Sequence, residues 1–438
     1  MKREAGWLGE ELPVTRQDVK NPTTKPTRGQ FSILRQICNF IPGHLVPKLA
    51  RQTGVEQKAR SFSPWSHVVT LLYAQLTHAL SLNDVCDGLQ LNRSDLAAVR
   101  GASAPSKNAF SHANKQRDAG MAEALFWKVL EHLGALSPDF YGGGPRRAKL
   151  ARRFRRTIQV IDATVIQLVA NCLDWAKHRR RKAAAKCHLR LDLQSMLPRF
   201  AIIDVAREHD ASRAAELCAG LRAGEIVIMD RGYVDYVHLA ALDQREVYFV
   251  VRAKRNLAYR VKRTLSAPKG RILADEEIEL SDPLTRQHAP KRLRRVVALV
   301  EVDGQEMEMV FLTNHLEWAP SSVAELYRCR WQIEVFFKQI KQTLQVGDFL
   351  GHNANAVRWQ LWTALLSYVL LRYAAFLGTW THSFSRLWAV LRSALWKRRD
   401  LRALLKSYGT AGGSFRCLAQ PEQAYFPTFH RHAVGQHR

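Results

Sequence analysis

The chain has 438 residues, enough to bury a full core and to hold two or three domains. Its 47% hydrophobic content is that of a folded protein, but 66 Lys and Arg against 39 Asp and Glu leave a formal charge of +27. Such an excess draws a polyanion, and nucleic acid is favoured over a membrane-surface or ribosome-like basic role. Seven scattered cysteines with no C-x2-C pair exclude a zinc ribbon and a disulfide framework and suit a reducing cytoplasm.

Residues 1–30 read as a polar flexible arm with no apolar leader. From Phe31 to about Leu136 the pattern is helical. Leu34, Ile37, Cys38 and Ile41 recur at helix spacing until Pro42-Gly43 ends the element. Ser63-Pro64 supplies an N-cap and a Pro at the first helical position, opening Trp65–Ala79. Ser81 caps a short helix through Gly88, Ser106 caps Lys107–Arg117, and Met121–Leu133 forms another helix. Lys107, Asn108, Ser111, His112, Lys115 and Arg117 gather on one short helix. Such a helix is either a helix-turn-helix-like reader of DNA or a solvated face. Residues 31–141 are thus expected to form a helical, DNA-binding domain, ending at the Gly142-Gly143-Gly144-Pro145 joint.

The character then turns to short β-rich runs, and residues 150–350 are assigned to a catalytic domain. Thr157–Asp162 and Glu225–Asp230 are compact apolar strands ending on an acid. His188–Leu193 and Arg199–Val205 read as a strand pair, and Ala211–Leu221 as a helix. Residues 235–316 are mainly β and look inserted before a later helix. Trp359–Leu371 is a short apolar run ending at Arg372, too short to span a bilayer, and reads as a buried core helix. Residues 356–438 are assigned to a C-terminal helical region, a candidate dimerisation surface, with an irregular tail after Gly409.

Inside the run from Ala324 to Gln345, Tyr327, Arg330, Glu334 and Lys341 stand in the spacing Y-x2-R-x3-E-x6-K. On one continuous helix they fall at about 0°, −60°, −20° and −40°, with Lys338 near +20°. A buried stripe of this kind needs a partner for every charge. A phosphate with bound metal provides one. Asp162, Asp230 and Glu334 make a candidate three-carboxylate site, the hard-oxygen donor set with which two Mg2+ ions are held for phosphodiester chemistry. Taken singly, each acid is more often a loop-starting or surface residue. Neither His188 nor His209 is assigned a ligand role. No P-loop or G-x-G-x2-G is present, which argues against nucleotide hydrolysis.

These residues resemble the DDE transposases of bacterial insertion sequences, in the insertion-sequence-4 group marked by a Y-R-E-K signature. Here that signature is Tyr327, Arg330, Glu334 and Lys341, with VIDAT (Val160–Thr164) and MDRGY (Met229–Tyr233) around the first two acids. Phe31 through SFSPW, LLYAQLT and HANKQRD resembles a helical N-terminal domain attached to part of the group, so the resemblance covers about residues 31–405.

The resemblance implies an α+β or α/β protein: an RNase H-like core with a β-rich insertion, preceded by a helical domain and followed by C-terminal helices. It implies that Asp162, Asp230 and Glu334 bind Mg2+, with Mn2+ able to substitute. Tyr327, Arg330, Lys338 and Lys341 would hold the flanking phosphates. Trp331 matches a base-stacking tryptophan of some members, but Met309 stands where those members carry a second tryptophan.

Two basic clusters border the expected sheet edge and read as DNA-backbone contacts, namely Arg152, Arg153, Arg155 and Arg156, and Lys177–Lys182. Lys397-Arg398-Arg399 is left open. The function expected is cut-and-paste transposition: metal-dependent cleavage at element ends, then 3′-hydroxyl strand transfer into target DNA. Its partners would be double-stranded DNA and a second subunit in a paired-end complex, in the cytoplasm and away from any membrane. The rival readings are a stand-alone RNase H-like nuclease and an inactive, transposase-derived DNA-binding protein.

Overall fold

The computed structural model describes residues 28–55, 62–142, 154–168, 177–179, 182–205, 210–302, 304–343 and 350–408. Serine side chains start half of the described N-terminal helices, each satisfying a backbone N–H group that a helix end leaves free. After strand β1 (Arg28–Ser32), Ser32 caps α1 (Ile33–Cys38), and α2 (Leu45–Gln52) follows. Ser63 caps α3 (Pro64–Thr77), and Ser81 with Asp84 forms a reciprocal capping box on α4 (Leu82–Leu91). Ser106 caps α6 (Lys107–Gln116), reached through α5 (Arg93–Ala97). Then come α7 (Gly120–Leu136) and α8 (Pro138–Tyr141). Phe31, expected in a helix, lies in β1, because that segment pairs with β12 (Arg398–Arg399) near the other end of the described chain.

A ten-stranded sheet carries the site. Its core is β2 (Ile158–Leu168), β4 (Lys182–Asp192), β5 (Leu197–Val205), β6 (Ile226–Met229) and β7 (Tyr248–Arg252), in the order β5-β4-β2-β6-β7. β3 (Lys177–Arg179) adds to the edge of β4. β2, β6 and β7 run parallel, while β4 is antiparallel to β2 and β5 to β4. α9 (Asp210–Cys218) and α10 (Tyr236–Gln244) connect the parallel strands. This is the RNase H-like arrangement. β6 is buried at every position because both faces are covered, as parallel strands require. Ile226 and Ile228 face one apolar cluster; Val227 and Met229 face the other, with α9 and α10.

Strand β2 does not end at Asp162. It runs on to Leu168, because β4 pairs with it from Gln159↔Asp192 through Leu168↔Ala183. Of the span 235–316, α10 and β7 are core elements. The inserted strands are β8 (Tyr259–Thr264), β9 (Ile272–Leu280), β10 (Leu293–Val302) and β11 (Gln305–Thr313), with α11 (Pro283–Gln287) between β9 and β10. They continue the same sheet outward from β7, with β11 pairing to β7.

Beyond the sheet come α12 (Pro320–Arg328), α13 (Trp331–Lys338), α14 (Ala354–Leu377), α15 (Phe384–Ser393) and α16 (Leu401–Ser407). α14 is longer than the apolar run that foreshadowed it. By length and composition it could cross a membrane, yet 72% of its apolar window is buried inside the protein. It packs against α3, α6 and α7, so the N-terminal helices share one apolar core with the C-terminal ones.

Candidate active site

Strand alternation aims the first two acids. Asp162 shares the face of Val160, which belongs to the cluster covered by α12, α13 and α14. Asp230 follows Ile228 with extended backbone (φ −77°, ψ 166°), so it points to the same side. Ile161 and Met229 are register partners on the parallel pair β2 and β6, which places the two aspartates side by side.

The third acid arrives on a helix that is not continuous. The stripe read on one helix is carried by α12, a turn at Cys329-Arg330, α13, and a π-helical turn over Gln339–Thr343. The break does not disperse the groups. Tyr327 is 7% exposed and its hydroxyl donates to Asp230 Oδ1 at 2.9 Å. Arg330 donates to Asp162 Oδ2 at 2.7 Å and to Glu334 Oε1 at 2.5 Å. One guanidinium therefore ties Asp162 to Glu334, and the neighbouring phenol holds Asp230.

Burial pushes the Asp162 carboxyl up to about 6; Asp230 and Glu334 add to the rise, while Arg330 and the Ala163 N–H oppose it. Burial works against the charge of Arg330, but Tyr327, Asp162, Glu334 and Asp230 more than offset it, so the arginine stays a cation. Burial, and then Asp230, raise the Tyr327 phenol above its ordinary value, so it is a neutral donor at pH 7.

Beside these groups opens a cleft of about 450 Å³ lined by Asp162, Ala163, Thr164, Glu334, Phe337, Lys338 and Lys341. Lys338 is exposed. Lys341 donates to the Val165 carbonyl at 2.7 Å, so its ammonium rests against the far half of β2. The donor set of Asp162, Asp230 and Glu334 is all oxygen, which fits hard divalent cations. Among the described residues no three ligating side chains yet close around one point, since the Arg330 guanidinium lies between Asp162 and Glu334.

Other residues expected to touch DNA are dispersed. Arg117 is 5% exposed, lies over the Phe62 ring and donates to the carbonyls of Ser63 and Phe62. It is a core-bracing residue, not a DNA contact, because the turn after α6 folds it inward. Arg156 donates to the Gly224 carbonyl at 2.9 Å and lies over Tyr248, so its head is committed inside the protein. Arg155 and Lys107 are exposed. Arg152 and Arg153 lie outside the described residues, as do Arg180, Arg181 and His209. Trp331 is half-buried at the start of α13, and Met309 is 8% exposed on β11. In the Lys397–Arg399 cluster, Arg398 pairs with Asp95 at 2.8 Å.

A supporting network escaped the sequence reading. On the face of β4 opposite the acids, buried His188 lies 3.2 Å from the Tyr233 hydroxyl and 3.6 Å from Asp210, which also pairs with Lys186 at 2.7 Å. Tyr233 ends the turn that begins at Asp230, so this network braces the second acid from below. Its trace in the sequence is Lys186, His188 and Arg190, polar residues at every second position of an otherwise apolar strand.

The family described as Transposase DDE domain matches residues 153–370, and a family described as a domain of unknown function matches residues 30–99. A Sinorhizobium fredii protein named as a transposase (y4zB) is 33% identical over 280 residues, 63% of this chain and 77% of that protein. A Geobacillus stearothermophilus protein, named as the transposase for insertion sequence element IS5377, is 29% identical over 52% of this chain and 59% of that protein. Transposase InsG for insertion sequence element IS4 of Escherichia coli K12 is 24% identical over 42% of each chain. Among solved structures, a cryo-EM piggyBac transposase synaptic complex with hairpin DNA matches at TM-score 0.43 and 11% identity, over 85% of this chain and 82% of that one. The match over the site-bearing segment, with a relative alike across most of its own length, places the chain among the DDE transposases of the insertion-sequence-4 group.

Proposed function

We infer that this transposase works by cut-and-paste, cutting DNA at the ends of its element and joining the freed 3′-hydroxyls to target DNA with one active site. The observation that carries this reading is the bridge from Asp162 through Arg330 to Glu334, with Asp230 beside it under Tyr327. Asp162, Asp230 and Glu334 would hold the metal. When bound there, Mg2+ or Mn2+ supplies a Lewis acid for the scissile phosphate and an acidified water.

The chain's own residues do the rest. Arg330 neutralises the carboxylates in the free protein and must turn away from them, which releases its guanidinium for a DNA phosphate. Lys338 and Lys341 flank the cleft and hold the phosphates on either side of the reacting one. Tyr327 keeps Asp230 oriented. In each chemical step one P–O bond forms as another breaks, first to water and then to the 3′-hydroxyl. The acting form in this reading is two subunits on two DNA ends, working in the cytoplasm.

The test is Mg2+-dependent cleavage of duplexes carrying the element's ends, followed by strand transfer into a plasmid. Cleavage without any joining, with pre-cut ends included, would leave a nuclease instead.

Two further results are expected. Arg330→Ala removes a cation that competes for the acids, so Mn2+ should bind the DNA-free protein roughly tenfold more tightly while cleavage is lost. Calorimetric titration reads this, and unchanged or weaker Mn2+ binding refutes the competition. The second concerns pH. With its folded value near 6, above the usual carboxylate range, Asp162 retains a proton that metal must displace. Mn2+ affinity should therefore fall as pH drops from 7 to 5. The same shift stabilises the metal-free fold at low pH, and that contribution fades as pH rises through about 6. A Mn2+ affinity flat between pH 5 and 7 would contradict it.

A further inference from the structure

We propose that the solvent-facing side of α6 reads base edges in the major groove at the element's ends; this rests on the transposase reading above. Exposed Lys107, Asn108, Ser111, His112, Lys115 and Gln116 recur at helix spacing along one face, while Phe110, Ala113 and Asn114 point into the core. All six exposed side chains can donate hydrogen bonds, none is acidic, and none has a hydrogen-bond or ion-pair partner among the described residues. Asn, Gln, Ser and Lys are side chains that discriminate bases in the major groove. The helix is about 15 Å long, and its width suits that groove.

The face itself carries the cations Lys107 and Lys115 and no acid. Of the acids on the neighbouring segments, Asp95 pairs with Arg398, Asp84 and Asp118 are tied to backbone N–H groups, and Asp87, like Lys107, lies close enough to act on the Cys86 thiol.

The helix is also held in a fixed pose, as sequence reading requires. Asn114 meets buried His67 at 2.8 Å. From the start of α14, Asn355 donates to the carbonyls of Asn114 at 3.0 Å and Arg117 at 2.6 Å, and its oxygen accepts from the Ala119 N–H. Trp359 donates to the Arg117 carbonyl at 2.8 Å. The C-terminal end of α6 is thus fastened to the helix that follows the catalytic α13 and its π turn. Recognition of an end and placement of the cleavage site are set by one rigid assembly.

The experiment uses the full-length protein with a duplex from the element's own end and a scrambled duplex of equal length, at fixed salt. Asn108→Ala and His112→Ala should each cut the preference for the end duplex by roughly 5- to 100-fold, with scrambled-duplex affinity within about twofold of the parent. Replacing purines of the end duplex by 7-deaza analogues removes major-groove acceptors without altering the protein, and should erase the wild-type preference. Asp162→Asn should keep the preference and lose cleavage, so failure of the catalytic reading shows separately. The proposal is overturned if folded α6 variants keep full end preference, if they lose affinity for both duplexes alike, or if the 7-deaza duplex binds like the natural one. Tighter binding of α6 to RNA or to an acidic protein than to the end duplex would overturn it as well.

Discussion

Asp162→Asn, Asp230→Asn and Glu334→Gln each reduce end cleavage on the order of 10³-fold or more while end-duplex binding survives. The substitutions are nearly isosteric, so the β2–β6 register and the turn of α13 persist. What changes is charge. Each removes one of three carboxylates gathered around Arg330 and Tyr327, and an amide is a poor ligand for a hard cation. The metal-free proteins should differ in a way that separates the acids. Asp162→Asn loses the ion pair to Arg330, and Glu334→Gln loses the other half of that bridge. In Asp230→Asn the new amide oxygen can still accept from Tyr327. At pH 7 without metal, thermal melts should therefore fall for the Glu334 variant and hardly move for the Asp230 variant, while the Asp162 variant should hold or rise, because burial works against the Asp162 anion more than Arg330 favours it. A gel-based cleavage assay with Mg2+ is the check. Any of the three cutting at the parent rate takes that residue out of the site.

Arg294→Leu lowers stability by about 3–5 kcal/mol, the largest single-site loss expected outside the apolar core. Arg294 and Asp275 are each 2% exposed and meet in a two-pronged pair, 2.6 Å and 2.9 Å, across β10 and β9. One guanidinium nitrogen also donates to the carbonyls of His315, Leu316 and Trp318, at 3.2 Å, 3.1 Å and 2.7 Å. Those carbonyls lie in the segment that enters α12. Removing Arg294 strands a buried carboxylate, left with the Ser266 hydroxyl at 2.6 Å, and frees three carbonyls.

The inserted strands are thereby a strut for the helix that carries Tyr327. Hydrogen exchange over 314–328 should speed up in Arg294→Leu, and cleavage should fall with it. Adding Asp275→Leu removes the stranded charge and should recover much of the stability, because a buried pair replaced whole costs far less than one broken. A single variant that melts with the parent would show that the strut bears no weight.

Much of the site was visible in one dimension. Its residues sit in short local signals: a compact apolar strand before Asp230, the run through Asp162, and the Tyr327–Lys341 spacing. The serine caps at Ser63, Ser81 and Ser106 were legible for the same reason, since a cap bonds to a backbone group three residues away. Long-range pairing set what was misread. β2 outran Asp162 because β4 matches it residue for residue, and no local residue announces that partner. The inserted β strands looked like a separate unit because their joining to β7 is made by β11, the last of them in the chain. Arg117 read as a surface cation because its neighbours on α6 are exposed; the turn after the helix carries it inward over the Phe62 ring.

By itself the sequence determined the chemistry on offer: three carboxylates, a basic excess, and a helical stripe mixing acid, base and phenol. These follow from residue type and spacing alone. Only the tertiary structure decided that Arg330 occupies the space between Asp162 and Glu334, that Tyr327 belongs to Asp230, and that α6 is fastened to α14. Nearly all of these contacts join segments far apart in the chain, fixed by strand register and helix packing, which spacing does not encode.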